Sequence, residues 1–303
     1  MFSYSLDNKR YHTLNFFYRQ RFGCKIAKIP LDAGFNCPNK KTGGCIYCSS
    51  NSAANIIDKE LSVVEQFKNE TKILNKKWPD AKYIAYLQAG TNTNTNVKNL
   101  KNICEKLITR NNCVGISIAT RPDTINDECL KYLSDLNKRT FLTIELGLQS
   151  SNNDTLRFIN RGHTKEDFAN CVHRLHKKNI FVVAHIINGL PYETKDDMIN
   201  TAKFINSLNV EGIKIHMLHI AKRTKLAKIY QDTPFPILTM DEYIKITVEQ
   251  LRYLNPKMVI ERITGDPIKE ELIEPKWLLK KFVVLNNIDK YMLKNDIFQG
   301  DML

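Results

Sequence analysis

Between residues 25 and 220 short apolar runs alternate with amphipathic stretches, and few architectures accept that rhythm. KIAKIPLD (25–32), YIAYLQAG (83–90), VGISIAT (114–120), FLTIELGLQS (141–150), IFVVAHIING (180–189) and GIKIHMLHI (212–220) have strand length and strand composition. Apolar residues between them recur at helical spacing: Val97, Leu100, Ile103 and Leu107; Ile125, Cys129, Leu133 and Leu136; Phe168, Cys171 and Leu175; Met198, Ala202 and Ile205. Six successive strand–helix units predict a parallel sheet wound right-handedly, so the expected fold class is α/β, a partial (β/α)6 TIM-like barrel. The first break in composition is YQDTPFPILT (230–239), with two prolines. Beyond it stand one helical face (Met240, Ile244, Val248, Leu251, Leu254), a strand MVIERIT and a basic, aromatic tail. The expected organisation is an N-terminal extension (1–23), the barrel (24–229) and a C-terminal helix/strand extension closing it (230–303).

A chain of 303 residues, 43% hydrophobic, can bury one large core. It has no apolar run of membrane length, and its first residues, MFSYSLDNKRYHTLNFFYRQRFG, lack the apolar centre of a signal peptide. The expectation is a soluble cytoplasmic protein without a membrane partner. Lys and Arg number 45 against 32 Asp and Glu, a net charge of +13 that suits a polyanionic partner such as nucleic acid. A chain rich in Lys, Asn and Ile reaches the same balance through AT-biased coding, so charge alone leaves both readings open. Eight cysteines spread through so long and regular a chain read as reduced thiols rather than a disulfide framework.

In barrels of this kind chemistry sits at the C-terminal ends of the strands. Here those ends are polar: QAGTNTNT after the second strand, TRPD after the third, Glu145, Gly147 and Gln149 on one face of the fourth, HIINGLP after the fifth, His216 and His219 on the sixth. Each taken singly also reads as a turn residue or a core histidine. Taken together, and with three cysteines after the first strand, they point to one lumenal site.

Cys37, Cys45 and Cys48 follow the pattern C-x7-C-x2-C. The CxxC half serves zinc and iron–sulfur ligation equally. A structural zinc asks for a fourth ligand, and the nearest in sequence, Cys24, lies about 20 Å away at the other end of an extended strand; His12 is the other candidate. Three thiolates as the whole set would leave one iron of a cubane cluster open at the barrel mouth. The two readings are an iron–sulfur enzyme and a non-catalytic, zinc-stabilised RNA-binding protein. Cys104, Cys129 and Cys171 lie on apolar helix faces and read as core.

The residues RYHTLNFFYRQRFG, KIPLDAGFNCPN…GGCIYCS, TNTNT, IATRPD, IELGLQS, NRGHT, INGLPYET, IKIHMLH and ITGD…W…KFVVLNNID together resemble the radical S-adenosylmethionine (SAM) superfamily, and within it the YhcC/YtqA family, whose Gram-positive members are called MnmL. The group also includes the elongator catalytic subunit and the oxygen-independent coproporphyrinogen dehydrogenase. The resemblance spans roughly residues 10 to 300 and implies a radical SAM type of barrel. It implies that Cys37, Cys45 and Cys48 bind a [4Fe-4S] cluster whose open iron chelates SAM. It further implies that Gln88, Gly90 and Thr91 hold the SAM amino group, Gln149 the ribose, Arg161 the carboxylate, with His185 and Ile187 on the adenine side; Arg121 is a second carboxylate-binding candidate. Glu145 is the candidate for proton transfer. The cysteine loop is shorter than is usual in the family, and Lys222-Arg223-Thr224 stands where relatives read Lys-Gly-Thr, adding a positive charge at the mouth. The MnmL branch implies conversion of the tRNA wobble nucleoside 5-carboxymethylaminomethyl(-2-thio)uridine to its 5-aminomethyl form. For such a substrate Lys222 and Arg223 are the expected RNA contacts, while Tyr192 and Trp277 read equally as base-stacking residues and as core. Partners implied are tRNA, an electron donor such as flavodoxin or ferredoxin, and a downstream methyltransferase. Another RNA base or a small metabolite is the alternative substrate.

Overall fold

The computed structural model describes residues 2, 4, 5, 8–49, 57, 58 and 60–303. Its main sheet holds β1 (Ile26–Leu31), β2 (Lys82–Leu87), β3 (Cys113–Thr120), β4 (Phe141–Gln149), β5 (Phe181–Asn188), β6 (Gly212–Met217) and β8 (Val259–Arg262), in that order and parallel throughout. With β1 and β8 as its edges, the sheet is an open TIM-like barrel. The strand expected in the C-terminal extension thus joins the same sheet as its seventh member. A small antiparallel pair, β7 (Ile220–Ala221) and β9 (Leu272–Glu274), stands beside it.

The helices are α1 (Leu14–Phe22), α2 (Val63–Lys77), α3 (Val97–Ile108), α4 (Asp127–Asn137), α5 (Asn153–Phe158), α6 (Lys165–His176), α7 (Lys195–Ser207), α8 (Lys225–Asp232), α9 (Met240–Arg252) and α10 (Lys281–Lys294). The sequence sets their starts locally. Asn96, Asn126, Thr164 and Thr194 each accept a backbone N–H of the first helical turn, and Asp167 and Asp197 return the bond to the cap residue. Such caps stabilise a helix by about 1 kcal/mol each. The Pro-containing break at 230–239 falls between α8 and α9.

Alternation within the strands separates two environments. Ile116, Ile118, Leu142, Ile144, Leu146, Val182, Ile213 and Ile215 form one core with Leu100, Leu133, Phe168, Leu175 and Ile205 of the helices. Lys28, Tyr86, Ser117, Glu145, His185 and Lys214 occupy the opposite face and meet in the lumen. At the N-terminal end of the barrel, Phe17 and Phe22 of α1 pack on Phe141 and Phe181, the first residues of β4 and β5. α1 therefore closes the end opposite the polar strand ends. Among the described residues no helix is long and apolar enough to cross a membrane.

Candidate active site

The chain leaving β1 carries the cysteines over the C-terminal ends of the strands. A 3-10 turn, Pro38–Thr42, ends at Gly43 and Gly44, both at positive φ (93° and 71°). Two asparagines pin this loop. Buried Asn39 donates its amide to the Cys45 Sγ (3.4 Å) and the Asn160 carbonyl (2.7 Å), while Asn160 donates to the carbonyls of Thr42 (3.1 Å) and Gly44 (2.7 Å). The Ile46 N–H donates to Ile159, and the Leu226 N–H to Ile46, so the CxxC segment is fastened on both sides. Cys37, Cys45 and Cys48 are free thiols on the wall of a cavity of about 490 Å³ that also takes in Gly90, Thr91, Arg121, Glu145, Gln149, Arg161 and His185. Most of the residues expected from sequence are thereby brought together.

Each strand end is shaped for close approach. Gly90 has φ +74°, and a Cβ there would stand 1.9 Å from the Phe35 carbonyl oxygen; the turn and the cysteine loop touch only because the side chain is missing. Thr91 is buried. Asn92 donates to the carbonyls of Leu87, Ala89 and Ala119, locking the turn between β2 and β3. A Cβ on Gly147 would fall 2.5 Å from the Arg161 guanidinium and 2.7 Å from the Gln149 amide. Gln149 itself lies at φ +82° beside a register shift between β4 and β5, the kind of strained irregularity that re-aims a side chain. Arg161, buried, donates to the Gly147 carbonyl (2.5 Å) and approaches Cys45 Sγ at 3.8 Å; its Nε has no hydrogen-bond partner.

Two residues expected at the site are already engaged by hydrogen bonds. Arg121, on the cavity wall, gives its guanidinium to both oxygens of Asp123 (2.9 Å each) and to the Arg161 carbonyl (2.8 Å) and so braces that wall. Glu145 accepts from Lys28 (2.8 Å), Lys214 (2.5 Å), Tyr86 (2.7 Å), Ser117 (2.7 Å) and His185 (2.8 Å). Burial opposes its charge, but the Lys214 and Lys28 ammonium groups and the His185 bond outweigh that and hold the carboxyl well below its usual range. A carboxylate so saturated has no lone pair to offer a proton. Glu261 completes the cluster on Lys28 (2.6 Å).

Gln88 and Ile187 are not on the cysteine cavity. Gln88 lines a neighbouring cavity, and Ile187 packs against the apolar cluster of Leu190, Leu218 and Leu226. Cys24 packs with Tyr18 and Ile84 at the closed end, and His12 bonds the Lys257 carbonyl, so neither supplies a fourth ligand. Trp277 donates Nε1 to the Leu238 carbonyl and packs on Tyr243 as core, whereas Tyr192 is exposed beside Phe158 and lines neither cavity. Arg223 keeps the turn expected of glycine, at φ +62°, and its guanidinium is held by Glu271 at 2.6 Å. Asn39, Asn160, Lys28, Lys214 and Glu261 were not singled out from sequence. The available signal was a lysine alternating with apolar residues inside a strand, at Lys28 and Lys214.

The donor set suits a cluster. Among the described residues no three Cys, His, Asp or Glu side chains are arranged to hold one metal ion; thiolates that bind separate irons of a cubane need not converge on a point. Beside them the unpartnered Arg161 Nε awaits an acceptor. Comparison with known proteins agrees: residues 34–205 match the radical SAM superfamily model. The chain is a radical SAM enzyme. Residues 210–294 match the radical SAM C-terminal domain. The enzyme is 42% identical to the "uncharacterized protein YtqA" of Bacillus subtilis (strain 168), over 99% of this chain and 94% of that one. It is 29% identical to protein YhcC of Escherichia coli (strain K12), over 94% and 92% respectively. Among solved structures, an N-terminally truncated Elp3 of the archaeon Methanocaldococcus infernus superposes with a TM-score of 0.68 at 18% identity, covering 91% of this chain and 64% of that one. The enzyme uses a [4Fe-4S] cluster and SAM, as its superfamily does, which replaces the zinc-protein reading.

Proposed function

We propose that this radical SAM enzyme modifies the tRNA wobble uridine, converting 5-carboxymethylaminomethyl(-2-thio)uridine to 5-aminomethyl(-2-thio)uridine. The observation that carries the reading is a second cavity of about 350 Å³, lined by Gln88, His216, His219, Arg262 and Asp266, which shares Ser49 with the cysteine cavity. Its size suits one extruded nucleobase and a short substituent. Its lining includes Ala221, and the chain runs directly on into the exposed Lys222 and Arg223, where phosphates would be met. The resemblance to the MnmL branch selects the base, and the net charge of +13 is in keeping with an RNA substrate.

Cys37, Cys45 and Cys48 would hold the cluster, and bound there it and SAM supply a 5′-deoxyadenosyl radical able to take one hydrogen atom from the carboxymethyl carbon. The substrate change is a two-electron oxidation of the carbon–nitrogen bond to an imine, for which SAM, ending as methionine and 5′-deoxyadenosine, would be the oxidant with one proton released; water then hydrolyses the imine to the free amine and a two-carbon aldehyde acid. The enzyme's own residues orient and enclose. Arg161, with its unpartnered Nε, would take the SAM carboxylate, Gln149 on the same cavity wall the ribose, and the Gly90–Thr91 turn the SAM amino group. Flavodoxin or ferredoxin is the proposed electron source, and a methyltransferase the proposed consumer of the aminomethyl product.

The test is mass spectrometry of nucleosides from total tRNA of a strain lacking the gene, its parent, and a strain complemented with Cys45→Ala. Carboxymethylaminomethyl uridine should accumulate in the first and remain in the third. Identical profiles in all three would redirect the search to another RNA base or a small metabolite.

A further inference from the structure

We propose that Arg262 and Asp266 read the two charges of the substituent, Arg262 taking the carboxylate and Asp266 the secondary ammonium; the proposal rests on the wobble-uridine reading above and assigns its specificity. Arg262 is the last residue of β8 and Asp266 follows one helical turn's distance later in sequence. Both line the second cavity, and their side chains are 37% and 47% exposed. Arg262 is the one cationic side chain among the described residues of that lining.

The pair is loosely joined. Arg262 Nη2 stands 3.3 Å from Asp266 Oδ2, longer than the 2.7–2.9 Å typical of a charge-assisted bond. Asp266 is held from the other side by Lys281 of α10, at 2.6 Å. A fixed carboxylate beside a guanidinium with spare donors is the complement of an N-substituted glycine, whose ammonium and carboxylate are one carbon apart. Of the remaining wall, Pro30, Ile268 and Leu272 are apolar, Glu271 is a carboxylate already held by Arg223 at 2.6 Å, and His216 is kept neutral because burial, then His185 and Arg262, push it well down. No other lining residue competes for the carboxylate with a positive charge.

Placement agrees with the chemistry. Arg262 is in register with Lys214 on β6, two residues before His216, and the His216 ring lies 5.5 Å from that of His185, which lines the cysteine cavity. A carboxylate held by Arg262 would therefore lie one pair of histidine rings, His216 and His185, away from the cysteine cavity.

The test uses the full-length enzyme with its cluster reconstituted, without reductant, so that binding is read apart from turnover. Two anticodon stem-loops are compared, one bearing 5-carboxymethylaminomethyluridine and one bearing 5-aminomethyluridine, which lacks the carboxylate. The wild type should prefer the first by about tenfold or more, the worth of a hydrogen bond to a charged group. Arg262→Gln should bring the ratio to about one while leaving affinity for the aminomethyl RNA unchanged, and Arg262→Lys should restore part of it. Asp266→Asn should weaken both RNAs by a similar factor and preserve the ratio, since both carry the amine. An Arg262→Gln enzyme that keeps the wild-type ratio would overturn the assignment, as would a wild type that converts the substrate upon reduction yet binds both RNAs equally. A wild type that neither distinguishes nor converts them would overturn the wobble-uridine reading and this proposal with it.

Discussion

The Glu145 carboxylate has five donors and no exposed surface, and Lys28 and Lys214 beside it are 13% and 8% exposed. Replacing it with alanine strands two buried ammonium groups, with Glu261 left to compensate both. The expected loss of stability for Glu145→Ala is about 3–5 kcal/mol, read from denaturant midpoints; a loss below about 1 kcal/mol would show that water already screens the cluster. Its pH dependence has a definite sign. A carboxyl whose folded pKa is depressed contributes fully above the ordinary Glu value, about 4.3, and loses that contribution as pH falls further. His163 acts earlier. Burial, then the Arg161 guanidinium, push it down to about 4, so the unfolded chain takes up a proton at a pH where the folded chain does not. Stability should therefore fall as pH drops from about 6.5 towards 4, and His163→Gln should make that fall shallower, with the lowered His216 and His185 supplying the remainder. A wild-type midpoint constant between pH 7 and pH 5 would contradict the assignment.

Among the elements, the strands and their C-terminal ends carry the design, and most of this was legible. Period-two alternation placed Glu145, Gly147 and Gln149 on the lumenal face, and 3.6-residue spacing located α3, α4, α6, α7 and α9. What was not legible depends on contacts distant in sequence. Nothing local says that Asn160 reaches back to the carbonyls of Thr42 and Gly44, or that Arg121 bonds the Arg161 carbonyl forty residues on. Glu145 was read as a proton carrier because its partners Lys28 and Lys214 lie on other strands, one at each side of the sheet. α10 was missed within a tail that reads as mixed basic and aromatic, since its outer face keeps Phe282 and Leu293 exposed and blurs the apolar stripe. The two site glycines separate shape from stability. Gly147→Ala meets only the ends of flexible side chains, so it should fold normally yet weaken SAM binding by about tenfold, as Arg161 and Gln149 are displaced. Gly90→Ala meets the Phe35 backbone at positive φ and should lower the thermal midpoint as well. Equal SAM affinity in wild type and Gly147→Ala would remove Arg161 and Gln149 from the SAM site.

At the scale of the whole molecule, two cavities of the open barrel share Ser49 in their walls, and a basic turn follows the lining of one. The turn's two cations are not equivalent. Arg223 is held by Glu271, while Lys222 is exposed and makes only a backbone bond to that residue among those described. Lys222→Ala should therefore weaken tRNA binding and reduce the salt slope by about 0.7–0.9, the value of one phosphate contact, and Arg223→Ala should do so less. Equal effects would mean that RNA draws Arg223 away from Glu271. The central claim is that the radical formed over the cysteine loop reaches the substituent carbon held in the second cavity. Its most direct test is to incubate the reduced enzyme and SAM with tRNA deuterated at the carboxymethyl carbon of the wobble uridine, and to weigh the 5′-deoxyadenosine released. Incorporation of deuterium from the tRNA is the expected result; 5′-deoxyadenosine free of deuterium, formed alongside aminomethyl product, would contradict it.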